Sequence, residues 1–369
     1  MTVTVPRVIS DVDGAFVDAA LREAGILTGS AHVASCEIRY LGEGVGMLGD
    51  LARVALDYSP AAAGPASLIV KVPTTHPANR DRGLAFAFYE REARLYELLT
   101  RTGRTGGLRI PHCYAAPMDV SAQRFALLLE DLDASGFCPA DQVAGLQPDQ
   151  AHLATEQLAR FHAEWWDAVD TPELAWLPTS NDEVTKQAAL IMRGHWPLFV
   201  ERFGDGLTDD GLSLGPRVGA NYEALLDGIA RAPRTIVHTD YRLDNLFFPA
   251  PIGATAPLAV VDWQLCTRGR GAYDIAYLLG QSMDPELRAA HEDDVLRTWH
   301  EALRVARVDG YSLDDAREDY ALGALLNLVI PVSLADMDAG NERGLELVRS
   351  IAERAFRAAV DIDAGRLLR

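Results

Sequence analysis

Two periods of apolar residues divide this chain. From Ala52 to Tyr58, apolar positions alternate with Leu51, Arg53, Ala55 and Asp57, the period of a half-buried strand. Ala34 to Leu41 before it and Ser67 to Val72 after it also read as strands, and so do Arg109 to Met118 and Arg124 to Glu130. Helical spacing marks Asp11 to Leu27, with Phe16, Ala19, Leu21 and Ala24 near one face. It returns over Asp81 to Thr100, where Phe88, Glu92, Leu95 and Leu99 fall on neighbouring turns. Beyond Pro148 the helical period dominates: 148–167, 181–203, 215–231, 272–281, 285–306, 313–334 and 341–361. The pattern predicts a five-stranded amino-terminal sheet and a mostly helical remainder. The polar, Gly/Pro-bearing stretch Ala134 to Gln147 separates residues 1–133 from 134–369.

One segment breaks the helical run and organises the rest. Ile236-Val237, Leu246 to Phe248 and Leu258 to Val261 are short apolar runs that read as one buried hairpin. His238, Asp240, Asn245 and Asp262 sit between and after them, where strand ends aim side chains rigidly into a cleft. A carboxylate that orients a hydroxyl, followed by an amide and a second carboxylate that hold magnesium against a triphosphate, suits that spacing. Lys71 lies in an otherwise apolar strand. An unpaired buried ammonium is costly, so it needs a carboxylate, and Glu92 is preferred over Glu90 and Glu97.

Gly44 to Gly49 spells a GxGxxG motif, but a dinucleotide site requires a helix after the glycines. Alternating residues follow here, and Pro60 arrives too early for a full helix. Strand, Gly loop and strand instead suit a hairpin folded over nucleotide phosphates, with a tight glycine hairpin as the plain structural reading. His162 is expected to be a hydrogen-bonded packing residue. Trp165, Trp166 and Trp196 are expected to fill a helical core more often than to floor a pocket or cage a cation.

The ordered set of Gly loop, strand Lys, helix Glu, connector, His-x-Asp-x4-Asn, strand and Asp resembles the aminoglycoside phosphotransferase and choline kinase-like superfamily. Within it, the chain looks most like the branch near the ecdysteroid kinase-like phosphotransferases. The motifs are Leu128-Leu-Glu-Asp-Leu132, His238-Thr-Asp-Tyr-Arg-Leu-Asp-Asn245 and Val261-Asp-Trp-Gln264, and the resemblance spans about residues 30 to 335. It implies a protein kinase-like α+β fold of two lobes and transfer of a phosphoryl group from ATP, with Mg2+, to a small-molecule hydroxyl. Gly44 and Gly46 would cover the phosphates. Lys71, held by Glu92, would contact them, and the backbone from Glu130 to Leu132 would bind adenine. Asp240 would orient the hydroxyl, His238 would brace the catalytic loop, and Asn245 and Asp262 would ligate magnesium. Asp274 would anchor that loop. Trp-Gln follows Asp262 in place of Phe-Gly, and Thr239 stands where many protein kinases carry Arg, so a small-molecule acceptor is favoured over a protein.

Charge and composition narrow the partners. A formal charge of −19 argues against nucleic-acid and anionic-membrane partners, which need clustered Lys and Arg. The four cysteines are scattered and expected to be reduced and mostly buried. No signal-peptide pattern opens the sequence and no apolar run reaches membrane-spanning length, so a cytoplasmic protein is expected, with a homodimer compatible. A silent nucleotide-binding scaffold and a metal-dependent hydrolase built on His238, Asp240 and Asp262 are the competing readings. For the acceptor pocket, residues 181–203 and 313–338 supply acids (Asp182, Glu183, Glu201, Asp336, Asp338) and aromatics (Trp196, Phe199).

Overall fold

The computed structural model describes residues 4–41, 48–61, 64–249, 257–336 and 342–369. Gly44, Gly46 and Asp338 lie outside them. Helix α1 (Gly14–Glu23) opens the chain, its first turn capped by the Asp13 carboxylate, which accepts from Phe16 N–H at 2.7 Å. Strands β1 (His32–Leu41), β2 (Gly49–Ser59) and β3 (Ser67–Pro73) follow. Helices α2 (Pro77–Ala85) and α3 (Phe88–Thr102) come next, then β4 (Cys113–Ala115), a small hairpin of β5 (Met118–Asp119) and β6 (Arg124–Phe125), and β7 (Leu127–Glu130). The antiparallel sheet has five strands in the order β1-β2-β3-β7-β4.

Period-two alternation gives this sheet two different faces. Ala52, Val54, Leu56, Leu68, Val70, Val72, Ala126 and Leu128 bury one face against Val5, Ile9, Phe16, Val17 and Leu21. Lys71, between Val70 and Val72, must then point to the other face, where α3 lies. Leu127 and Leu129 also face that way and join Leu95, Leu98 and Leu99 of α3 in the large core shared with the helical part.

After β8 (Phe137–Pro139), helices α4 (Pro148–Glu164), α5 (Glu183–Phe203) and α6 (Asp209–Ile229) lead to β9 (Thr235–Val237) and β10 (Leu246–Pro249). Strands β11 (Ala259–Val260) and β12 (Thr267–Gly269) precede α7 (Ala272–Ser282), α8 (Pro285–Val305), α9 (Leu313–Leu326), α10 (Val329–Ser333) and α11 (Glu342–Asp361). Helix α7 is buried along nearly its whole length, apart from Tyr273. Among the described residues no helix is long and apolar enough to cross a membrane.

Several sequence-level expectations need correction. The helix expected over 81–100 is two helices, broken at Ala87, whose φ is +54°. Gly83 packs against Tyr89 so closely that a Cβ there would lie 2.5 Å from the ring. The helix expected over 313–334 also breaks, after Leu326. The central segment is not one hairpin: β9 pairs with β12, while β10 pairs with β11 and with β8 from the expected linker. Apolar runs of three residues carry no mark of their partner, so adjacency in sequence is a poor guide to pairing. Gly49 opens a strand, which removes the dinucleotide reading of the glycines.

Candidate active site

Backbone geometry at the end of the ribbon comes first. Leu246 pairs with Val260, and Val261 N–H donates to the Asn245 carbonyl at 3.1 Å. Asn245 and Asp262 therefore leave the ribbon at the same end. Asp262 has φ +65° and Thr239 φ +61°, left-handed conformations uncommon for non-glycine residues and frequent where a site constrains the chain.

Buried side chains hold the turn between β9 and β10. The fully buried Asp274 carboxylate, on the first turn of α7, accepts the N–H groups of His238 (2.7 Å) and Thr239 (2.9 Å). It also faces His162 Nε2 at 3.3 Å, while His162 Nδ1 accepts from Trp299 at 3.1 Å. That network makes Nε2 the protonated nitrogen of His162. His162 is thus the packing residue the sequence indicated. His238 meets the Val261 carbonyl at 2.9 Å through Nε2, and its Nδ1 accepts from Asp240 N–H at 3.3 Å. It joins the turn between β9 and β10 to the segment that carries Asp262.

The Asp240 carboxylate is held from three sides. Tyr277 donates to Oδ1 at 2.7 Å, Arg242 Nε lies 3.3 Å from the same oxygen, and Asn245 Nδ2 donates to Oδ2 at 3.0 Å. Burial drives the Tyr277 phenol well above its ordinary pKa and Asp240 adds to the shift, so it stays a donor. Burial alone would lower Arg242, but Asp240, Tyr277 and Asp244 outweigh it and hold the guanidinium charged. Sequence reasoning passed over Arg242 and Tyr277. The alternation Asp240-x-Arg242-x-Asp244 was a usable signal for the first, since strand-like spacing sets a cation between two acids. Nothing in the sequence marked Tyr277.

Lys71 Nζ lies 2.8 Å from Glu92 Oε2 and 2.8 Å from Asp262 Oδ1. One ammonium is shared by two carboxylates. Burial would lower its pKa, but the two acids raise it. Burial raises Glu92 to about 7, with Asp262 adding to the shift against the pull of Lys71. Asp262 is held below the ordinary range, because Lys71 outweighs its burial. The single positive charge thus serves Asp262 first. Gly49 approaches Lys71 so closely that a Cβ there would lie 2.9 Å from the lysine Cε.

The donor set fits a hard divalent cation. Asn245 spends Nδ2 on the Asp240 backbone carbonyl (2.8 Å) and on its carboxylate, which leaves Oδ1 as the outward acceptor. Asp262 commits Oδ1 to Lys71 and retains Oδ2. Two oxygens from protein, with water and phosphate completing the shell, are what Mg2+ accepts. Among the described residues no group of three or more His, Cys, Asp or Glu could hold a metal, so the metal-dependent hydrolase gains no ligand set. Asp240 and Asp262 keep 14% and 27% of their side chains exposed, enough for both to meet a ligand.

At the connector, the Glu130 carboxylate is spent on Arg109, Ser135 and His112 N–H. Asp131 and Asp133 are tied to Arg53 of β2 at 2.8 and 2.9 Å. The Leu132 carbonyl accepts from Phe137 N–H at 2.9 Å. These bonds fix the connector's backbone and leave the Leu132 N–H without a protein acceptor among the described residues.

The residues named for an acceptor pocket sort differently. Phe199 is fully buried, and Trp196 packs with tilted rings against it and Phe356 at 5.5 and 5.7 Å. Trp165 is buried, and Trp166 packs on Trp299 and Tyr311. These aromatics are core. Asp182 accepts from Thr179 N–H, Glu183 pairs with Lys186 on the surface, and Asp336 faces His195 at 3.6 Å and Arg82 at 4.0 Å.

The sequence model of the ecdysteroid kinase-like family matches residues 43–166 and 179–308, more than half of the chain. None of the curated proteins compared matches it. Among solved structures it is similar to choline kinase from Cryptosporidium parvum Iowa II, at TM-score 0.53 and 11% identity over 90% of this chain and 92% of that one. An amicoumacin kinase in complex with AMP-PNP, Ca2+ and Ami aligns at TM-score 0.52 and 13% identity, over 97% and 95%. Wild-type aminoglycoside 2'-phosphotransferase-IIIa in complex with GDP aligns at 0.51 and 15%, over 92% and 99%. At such identities the likeness is one of fold, and the fold is the two-lobed kinase-like one. With the family match spanning every motif from the glycine loop to Asp274, this chain belongs to the ecdysteroid kinase-like family.

Proposed function

We propose that this protein transfers the γ-phosphoryl group of ATP to a hydroxyl of a small molecule, such as an aminoglycoside, a choline-like amine, a sterol or another hydroxylated metabolite. The observation that carries this reading is the Lys71 ammonium bridging Glu92 and Asp262 beside the ribbon that bears Asp240 and Asn245. Phosphoryl transfer asks little covalent chemistry of a protein and depends on charge and alignment. Such a set supplies both.

In this reading the nucleotide lies between residues 1–133 and 134–369. The Leu132 N–H offers a donor to the adenine edge. Lys71 turns its ammonium to the α- and β-phosphates while Glu92 keeps it in place. Asn245 Oδ1 and Asp262 Oδ2 would hold magnesium, which when bound neutralises charge on the phosphate oxygens. Asp240 receives the acceptor hydroxyl and its proton, aimed by Tyr277 and Asn245. His238 and Asp274 hold the turn and do not titrate in the reaction. The nucleotide and divalent ion named for the amicoumacin kinase complex support the choice of cofactors. We place the activity in the cytoplasm.

A coupled ADP-release screen across amines, sugars, sterols and hydroxy acids tests the proposal. Asp240→Asn should bind ATP as the wild type does and lose about 10²–10⁴-fold in turnover on the substrate found. Near wild-type turnover by that variant rules out the assignment of Asp240.

A further inference from the structure

Arg91 is a buried cation without an anion. Only 4% of the residue is exposed, and among the described residues no carboxylate lies within ion-pair distance. Its guanidinium meets three carbonyls instead: Leu265 at 3.1 Å, Cys266 at 3.2 Å and Phe86 at 2.8 Å. Its Nε has no partner. Burial lowers its pKa accordingly. Apolar residues of similar volume commonly replace buried charges at no loss of stability, so stability alone is a weak reason for a guanidinium here.

What those carbonyls belong to gives the stronger reason. Leu265 and Cys266 end the turn that begins at Asp262. With φ at +65°, Asp262 keeps its conformation only if its neighbours hold it. Upstream, Val261 is tied to Asn245 and His238. Downstream, Cys266 N–H closes onto the Trp263 carbonyl at 3.1 Å, and the Leu265 carbonyl receives both Thr239 Oγ1, at 2.5 Å, and Arg91. The Lys71 contact cannot be the lasting restraint if Lys71 serves phosphates. Arg91 therefore supplies one hold from α3, through hydrogen bonds to two carbonyls at the far end of the turn. It is also the residue before Glu92, and consecutive helical residues point ~100° apart. One helix thus reaches Lys71 with one side chain and the Asp262 turn with the next.

We propose that Arg91 is a positioning residue for the divalent-metal site, clamping the Leu265 and Cys266 carbonyls so that the Asp262 carboxylate is already placed before metal and nucleotide arrive. The inference rests on the phosphotransferase reading above, because it takes Asp262 as a metal ligand.

Mn2+ uptake with AMP-PNP, followed by electron paramagnetic resonance, tests it without turnover. Arg91→Met, Arg91→Lys and Leu95→Ala are compared with the wild type, and thermal unfolding is recorded for each. Leu95 is a fully buried residue of the same helix and serves as the stability control. Arg91→Met should weaken Mn2+ binding about tenfold or more, as loss of outer-shell support does at metal sites, and Arg91→Lys should fall between. Leu95→Ala should lower the melting temperature and leave Mn2+ affinity in place. If Arg91→Met does not fold, Thr239→Val removes the other donor to the Leu265 carbonyl and should weaken Mn2+ binding in the same sense. Unchanged affinity in Arg91→Met, or in Thr239→Val where that variant stands in, overturns the inference alone. So does an equal loss in Leu95→Ala. A wild-type protein that takes up no Mn2+ with AMP-PNP overturns the phosphotransferase reading and this inference with it.

Discussion

The ribbon end and the aromatic layer of α5 both drew candidates for the site, and they are built on opposite plans. At the ribbon end, polar side chains converge: Lys71, Glu92 and Asp262 in one set, Asp240, Asn245, Tyr277 and Arg242 in another. Each is oriented by at least one charged or hydrogen-bonded neighbour, and two backbone residues sit in left-handed conformations. In the α5 layer, Phe199 and Trp196 close on Phe203 and Phe356, and Gly215 leaves room for the Trp196 ring, which a Cβ would approach to 2.2 Å. That layer spends its side chains on each other. The difference teaches that aromatic content by itself marks packing, whereas a polar cluster whose members orient one another and still keep two carboxylates part-exposed marks the candidate for chemistry.

Paired substitutions should break the two regions apart. The Asp240→Asn loss of turnover should come with no more than a minor change in urea midpoint. Phe199→Ala should do the reverse, costing about 3–5 kcal/mol of stability as large core truncations do, with turnover of the folded protein kept. Equal losses of both kinds in either variant would erase the distinction.

A smaller effect sharpens the ribbon end. Glu92 is raised from an ordinary 4.5 to about 7 in the fold, by burial and by Asp262. The folded protein therefore binds more protons than the unfolded chain between those values. The stability this contributes is fully present below pH 4.5 and is lost as pH rises through about 7. Urea midpoints of the ligand-free protein should fall across that window, and Glu92→Gln should flatten the fall. A rise with pH that Glu92→Gln leaves intact would contradict the assignment.

The smallest effect concerns the thiols. Cys113 and Cys266 are pushed up to about 12, chiefly by burial, whereas Cys138 is exposed and Cys36 is part-exposed. The expectation of mostly buried cysteines thus holds for half of them. A thiol reagent at pH 8 should label Cys138 first, Cys36 more slowly, and the other two only on unfolding. Early labelling of Cys266 would mean that the turn after Asp262 opens in solution.

Period-two alternation in β2, the helical period beyond Pro148, and the tight spacing of His238, Asp240 and Asn245 were legible because each is a local property of the chain. So was the need of Lys71 for an acid. The sequence by itself determined most of the elements and put forward the residues proposed to carry chemistry, apart from Arg242 and Tyr277. The tertiary structure alone decided that β9 pairs with β12, that β8 joins the ribbon, that α3 breaks from α2 at Ala87, and that Tyr277 and Arg91 reach the site. The physical reason is one of range. Side-chain period and turn chemistry act over a few residues. Strand partners, helix breaks and buried polar contacts are settled by which distant surfaces can satisfy each other's hydrogen bonds once the core has closed.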